Sequence, residues 1–357
     1  MNYFKTFLFG FIFHVLISAQ IIATKGQFVL SGLTSNDIPD GSSSIESTIG
    51  YIPTFSMMQL LSNDQSMDIE WAYQLDRAYS GDDLLHNNGS HHRYWIRYSS
   101  EKLEARLGLQ KIVFGPSFVL RSLSWFDTID LKDPTGQTDG VEAFRLRWFP
   151  SNSLSLLSWA INNDQDTISY GSRAEVSNSL GEWGLTYHQD PSKSLKTIGQ
   201  IGIPVFGSHN RLAIDYRYDG FIGFWNESAL ISSNRSEIIM ATVGADYTLP
   251  IANGILVMAE YLSISNKIDS DELSHSYTAF MATIPLGMVH QLMFISQFDL
   301  EDSHSYNYLR WSSTYDHYSL SFVLSISPKR AEYLPIIMPN TLAGFGTGFQ
   351  FMFIYDH

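Results

Sequence analysis

Arginines recur at even spacing within short segments of this chain: Arg93 and Arg97, Arg145 and Arg147, Arg211 and Arg217, with Arg106 and Arg173 between them. Carboxylates fall among them at Glu70, Glu104, Glu175 and Asp215, and Gln110 follows Arg106 by one helical or two pleated repeats. Guanidiniums beside carboxylates recognise anions and polar groups by directional, charge-assisted hydrogen bonds and set a local field. They do not by themselves supply a nucleophile. The absence of cysteine excludes thiol catalysis, a disulfide framework and Cys-ligated zinc. His188, His290 and the pair His91-His92 could serve a hydrolase, but no G-x-S-x-G motif accompanies them and no His-x-His spacing marks a metal site. The chemistry on offer is selection of polar solutes, with no catalytic residue, no metal and no cofactor expected.

Even spacing places side chains on one face of a strand, whereas a helix of period 3.6 would scatter them. In 92–99 the apolar set is Tyr94, Ile96 and Tyr98, opposite Arg93 and Arg97. In 143–148 it is Phe144, Leu146 and Trp148, opposite Arg145 and Arg147. In 211–218 Leu212, Ile214, Tyr216 and Tyr218 oppose Arg211, Asp215 and Arg217. The same alternation runs through 67–76 and 318–325, so the chain is all-β. A soluble sandwich also alternates. A membrane barrel is favoured by aromatic residues near strand ends, by strands long enough to cross hydrocarbon at a tilt (roughly 9–11 residues), and by connections that alternate short and long.

The short connections are expected near 62–65, 99–101, 150–152, 179–181, 207–210, 249–253, 285–288 and 313–316. The long ones are expected at 34–44, 80–91, 114–140, 163–166, 190–193, 220–235, 265–274, 300–303 and 327–342. Counting the segments between them predicts a single antiparallel barrel of about 18 strands, with 16 or 20 reached by one missed or extra hairpin. It opens on Gln27–Leu33 and closes on Gly344–Tyr355, and these two strands must pair, because an open edge in lipid leaves backbone groups unsatisfied. On the closing strand Phe349, Phe351, Phe353 and Tyr355 share one face.

Composition agrees with this assignment. Apolar residues make up 44% of the chain, aromatics 14% and charged residues only 16%, which excludes disorder. The 22 Lys and Arg against 36 Asp and Glu, a formal net charge of −14, argue against nucleic acid. Met1–Ala19 has one lysine, an apolar run from Phe7 to Ile17 and small residues at its end, the layout of a secretory signal peptide; 20–357 is then the barrel. The charge-free stretches 273–298 and 333–355 are broken by proline and glycine and lack the uniform hydropathy of a membrane helix.

With the apolar parity facing lipid, the opposite parity lines a lumen that is water-filled in a barrel of this size unless plugged. The expected pore-lining residues are Arg93, Arg97, Arg106, Gln110, Arg145, Arg147, Arg173, Arg211, Arg217, Glu70, Glu104, Glu175 and Asp215. Five of the arginines (Arg93, Arg97, Arg106, Arg145 and Arg147) fall on neighbouring strands and predict one basic wall patch, paired in part with Glu104 and Glu70. The longest connection, 114–140, is the third long loop and carries Arg121, Trp125, Asp127, Asp130, Lys132 and Asp133. A loop of this length in a compact protein is usually functional. It is expected to constrict the lumen, or else to cap its mouth. Asp127, Asp130 and Asp133 offer oxygen ligands without the spacing of a calcium loop. The other long loops are acidic, at Asp82-Asp83, Asp164, Asp166, Asp269, Asp271-Glu272 and Glu301-Asp302, as suits a surface bridged to lipopolysaccharide by divalent cations.

Short motifs carry a resemblance. The stretch from Arg106 through Gly108 and Gln110 to Gly115, together with Asp127 to Asp130, Asp133-Pro134, Gly140 to Arg145, and Gly50 to Thr54, resembles the Gram-negative outer-membrane porin superfamily, in the manner of the eighteen-stranded alginate-export and capsule-assembly barrels. The resemblance spans Gly50 to Arg147. It implies a bacterial outer-membrane location, insertion by the barrel-assembly machinery that reads an aromatic closing strand, and a pore whose third outer loop folds inward. It transfers no ligand-binding residue, and homo-oligomerisation stays open. The expected function is passive diffusion of small hydrophilic, preferentially anionic, solutes. The alternative is a plugged barrel that docks surface polysaccharide or a secretion partner, and an outer-membrane hydrolase stands behind both.

Overall fold

The computed structural model describes residues 21–61, 64–163, 167–234, 236–268, 271–333 and 339–357. The leader expected at Met1–Ala19 therefore lies outside the described residues, as do Asp164, Asp166 and Asp269.

Strands account for nearly all regular structure. The first half of the chain forms β1 (Ile21–Ser35), β2 (Ile45–Leu60), β3 (Ser66–Ser80), β4 (Asp83–Ser99), β5 (Leu103–Gln110), β6 (Val141–Ser151), β7 (Leu154–Asn162), β8 (Ile168–Asn178) and β9 (Gly181–Asp190). A small hairpin follows, β10 (Leu195–Ile198) and β11 (Ile203–Phe206). Then come β12 (His209–Asp219), β13 (Gly223–Ser233), β14 (Ser236–Leu249), β15 (Ile255–Ile268) and β16 (Asp271–Leu286). The last four are β17 (His290–Asp299), β18 (His304–Thr314), β19 (Tyr318–Ile326) and β20 (Thr347–Asp356).

All strands except β10 and β11 join one 18-stranded antiparallel sheet. It closes on itself through β1 and β20, from Gln27 opposite Asp356 to Ser35 opposite Gly348. Closure removes the free edge that hydrocarbon would penalise. Every strand pairs with its sequence neighbour save at β9, which pairs with β12 around the excluded hairpin.

The strand number agrees with the expectation through two compensating differences. Residues 194–206 do not enter the wall; they form the β10–β11 hairpin, where Gly199 and Gly202, both at positive φ, turn the chain back. Residues 220–235, expected as a long loop, contain β13. Their inward set (Trp225, Glu227, Ala229 and Ile231) and their outward set (Phe224, Asn226, Ser228 and Leu230) both mix apolar and polar residues, which hides the alternation. The expected loop 80–91 is also mostly strand: β3 and β4 continue to pair out to Ser80 and Asp83, with His86 on Asp76 at 2.8 Å and Arg77 on Asn87 at 2.8 Å.

The two faces separate as the alternation requires. Phe144, Trp148, Leu212 and Ile214 point outward and are nearly half exposed, whereas Arg145 is mostly covered and Arg211 is 3% exposed. Inside, the two sides of the ring differ. From β13 to β17 most inward positions are apolar, with Glu227, Thr242 and Glu260 set among them, and they pack with Ile112, Val119, Leu120 and Leu123 of the long loop into one continuous core. Over β3 to β8 the inward wall carries the clustered charges.

Candidate functional site: the charged wall and the inserted loop

Register sets the charged wall. Arg97 of β4 lies opposite Arg106 of β5, and Arg106 opposite Arg145 of β6, so three guanidiniums form a row across three adjacent strands. Like charges at that spacing repel, and the row needs counter-charge. Glu104, two residues from Arg106 on the same face, supplies it: its carboxylate lies 2.6 Å from Arg145, 3.6 Å from Arg106 and 3.8 Å from Arg97. Asp68 of β3 takes Arg97 Nε at 3.1 Å. Trp95 lies beneath the row, with Arg106 4.5 Å and Arg97 5.6 Å from its ring, and donates its indole N–H to Glu70 at 3.1 Å. Glu70, held under the same ring, is a third carboxylate of this face, so the three guanidiniums stand against Asp68, Glu104 and Glu70, and stacking and ion pairs fix the row's geometry.

A second cluster continues around the wall. Arg147 pairs with Glu175, and Glu175 accepts Arg173 Nε at 2.8 Å. Arg173 then reaches over β9 to Asp215 of β12, with two parallel bonds of 2.6 and 2.9 Å. Gly184 makes that crossing possible: a Cβ there would lie 2.2 Å from Arg173 and 2.4 Å from Asp215. A cavity of about 630 Å³ at the rim of short turns opens onto Arg147, Arg173, Glu175 and Glu182.

Not every inward arginine faces open space. Arg211 is sandwiched near the rings of Trp125 and Phe126, and Arg173 lies 5.4 Å from the Phe114 ring. Arg217 pairs with Asp219 and sits 5.7 Å from the Phe118 ring. Arg93 donates to the Thr138 carbonyl of the long loop. Gln110 is fully buried, its amide on the Ala143 carbonyl at 2.8 Å.

The long loop between β5 and β6 crosses the lumen. Glu227 of β13 accepts the backbone N–H of Ser117 at 2.8 Å and of Leu123 at 3.0 Å. Glu260 of β15 accepts those of Phe118, Val119 and Leu120 at 2.7, 3.0 and 2.6 Å. Thr242 of β14, between them, donates to the Leu120 carbonyl and meets Ser122, both at 2.7 Å. Two carboxylates thus satisfy five amides of a segment that has no sheet partner. Gly115 enters this turn at φ 83°, where any Cβ would fall 2.1 Å from Glu227. Arg121 and Asp127 are buried as an ion pair within the loop, and Trp125 donates to the Ser122 carbonyl at 3.2 Å.

From there the loop continues round the ring to β18, β1 and β4. Tyr308 and Arg310 of β18 donate to the Lys132 carbonyl. Gln137 then meets Gln27 of β1 at 2.8 Å and His92 of β4 at 2.9 Å. Asp130 and Asp133 cap the loop's own turns, accepting Lys132 and Thr135 amides at 2.9 Å each, and Asp127 is occupied by Arg121; the three carboxylates do not converge. The β10–β11 hairpin seats on the loop from outside, Gly199 and Gln200 donating to Ser124 and Arg121 carbonyls at 3.1 and 3.0 Å.

The alternation does not reveal the anchoring role of Glu260, and the expected loop at 220–235 hid Glu227 and Trp225 altogether. The available signal was the Asp219-Gly220 turn dipeptide, which starts a new strand.

A closed, antiparallel 18-strand ring with an inserted loop is a porin-type barrel. The fold is shared with OccD3 (OpdP) of Pseudomonas aeruginosa, at a TM-score of 0.61 and 6% identity over 95% of this chain and 91% of that one. It is shared also with a mutant of the Rhodopseudomonas blastica porin, at 0.51 and 10% identity over 94% and 100%. No protein-family model and no curated protein sequence matches the chain.

Proposed function

We propose that this protein is a passive outer-membrane channel for small hydrophilic solutes, narrowed by the loop 114–140 and selective for anions through its charged wall. The observation that carries the reading is the Arg97–Arg106–Arg145 row, three guanidiniums side by side on the inner wall and held in place by ion pairs to Asp68 and Glu104. Charged side chains lining a pore raise the local concentration of counter-ions and exclude co-ions. The loop crosses the lumen from its anchors on Glu227 and Glu260 and takes its hydrogen bonds away from Arg97, Arg106 and Arg145, which leaves the row to face the remaining passage. Such a channel needs geometry and field, without a reacting group.

The outward apolar belt suits hydrocarbon, the acidic loops suit a lipopolysaccharide surface, and the short-turn rim with both termini belongs on the periplasmic side. The outward aromatics of β20 suit recognition by insertion machinery. In planar bilayers the refolded barrel should give discrete conductance steps with anion preference. Replacing Arg97, Arg106 and Arg145 together with Ser should move the reversal potential toward cation preference. A folded but silent barrel would favour the docking alternative, and conductance with an unmoved reversal potential would take the row off the conduction path.

A further inference from the structure

We propose that His275, Asp299 and Glu301 form a binding site for a divalent transition cation such as Zn²⁺ at the long-loop mouth of the barrel. His275 lies on β16, Asp299 ends β17, and Glu301 sits in the connection to β18. A ring nitrogen of His275 and one carboxylate oxygen from each acid all lie within 4.8 Å of one another. Zinc holds imidazole nitrogen and carboxylate oxygen at about 2.0–2.2 Å, so three donor atoms this close reach one ion after a small inward shift of their side chains.

Two further observations point to a ligand. Nδ1 of His275 is buried with no hydrogen-bond partner, an arrangement that costs free energy unless another group meets that nitrogen. The carboxylates, in contrast, are oriented in advance. Asp299 Oδ1 accepts the backbone N–H of Glu301 and of Asp302 at 3.1 Å each. Glu301 Oε2 accepts the Ser276 N–H at 2.6 Å. Outer contacts of this kind hold ligating oxygens in place and raise affinity.

Charge agrees. Among the described residues no arginine or lysine pairs with Asp299 or Glu301, so two negative charges meet at a point without a cation of the protein's own. The donor set of one nitrogen and two oxygens selects against Ca²⁺ and Mg²⁺, which prefer all-oxygen shells, and for Zn²⁺ and its neighbours in the first transition row. Bound there, the ion would join β16 to the β17–β18 connection and cancel the negative field on that side of the mouth.

Isothermal titration of Zn²⁺ into the detergent-solubilised barrel tests the site independently of any conductance. One equivalent should bind per chain. His275→Gln should weaken binding by at least about tenfold, since lost outer contacts alone cost that much. Glu301→Gln, on an exposed connection that the barrel does not need for folding, should weaken it similarly. His317→Gln, at the opposite rim, should leave it unchanged. Binding that survives both His275→Gln and Glu301→Gln, or equal binding of Ca²⁺ at the same stoichiometry, would overturn the proposal, as would no binding at all.

Discussion

The indole of Trp225 lies across Gly244 and donates its N–H to Glu260 at 3.1 Å, joining β13 to β15 over an intervening strand that carries no side chain at that position. The same device recurs where Trp159 crosses Gly171 to His188 at 3.2 Å, and where Arg173 crosses Gly184 to Asp215. Neighbouring strands are about 4.8 Å apart, so a long side chain spans two of them only if the middle one is bare. Glycine, ordinarily a weak strand residue, is here what lets the inner wall carry long lateral contacts.

Filling that space should therefore cost stability. A Cβ at Gly244 would fall 2.3–2.5 Å from three atoms of the Trp225 ring. Gly244→Val is expected to destabilise the barrel by about 1–3 kcal/mol in denaturant titration, the usual range for overpacking. Gly32→Ala, with nothing within 4 Å of its Cβ, should be nearly neutral.

Glu260 anchors three loop amides and the Trp225 indole, so its removal strands four donors at once. Glu260→Ala should free the segment 115–126, each donor left unsatisfied costing about 1–3 kcal/mol where water cannot reach it. Limited proteolysis should then cut within the loop, and conductance should rise. Glu260→Gln, which keeps one acceptor oxygen, should show a smaller change in both.

Arg121 and Asp127 form their pair almost without solvent contact. Arg121→Ala would leave a buried carboxylate alone, at a cost of about 3–5 kcal/mol. Removing both groups, as Arg121→Ala with Asp127→Ala, should recover part of that loss in a double-mutant cycle followed by thermal unfolding.

Glu104 is the carboxylate shared by the arginine row. Glu104→Gln should increase anion preference, in the direction opposite to the arginine replacements. The change should be largest near 0.1 M salt, where the Debye length is about 10 Å, and small at 1 M, where it is about 3 Å. Reversal potentials at the two concentrations check this.

Much of the architecture follows from local pattern. The period of two at 92–99, 143–148 and 211–218 fixes strands and assigns each side chain to a face, since alternate Cβ atoms must point to opposite sides. That is enough to set Arg97, Arg106 and Arg145 inward and Phe144 and Ile214 outward. Pairing of the first and last strands follows from the intolerance of lipid for open edges. Pattern fails at 220–235 for a physical reason: where the loop packs against the wall, the inner face mixes apolar residues with the loop anchor Glu227, and Trp225 and Ile231 read no differently from outward residues.

The amino-acid sequence on its own thus determined an all-β chain and the parity of its faces, because each depends on residues near one another along the chain. Only the tertiary structure decided that Arg97, Arg106 and Arg145 share one row, that Glu227 and Glu260 hold the loop across the lumen, and that His275 meets Asp299 and Glu301. These depend on register between strands and on contacts more than a hundred residues apart, such as Leu120 with Glu260, and no local periodicity encodes them.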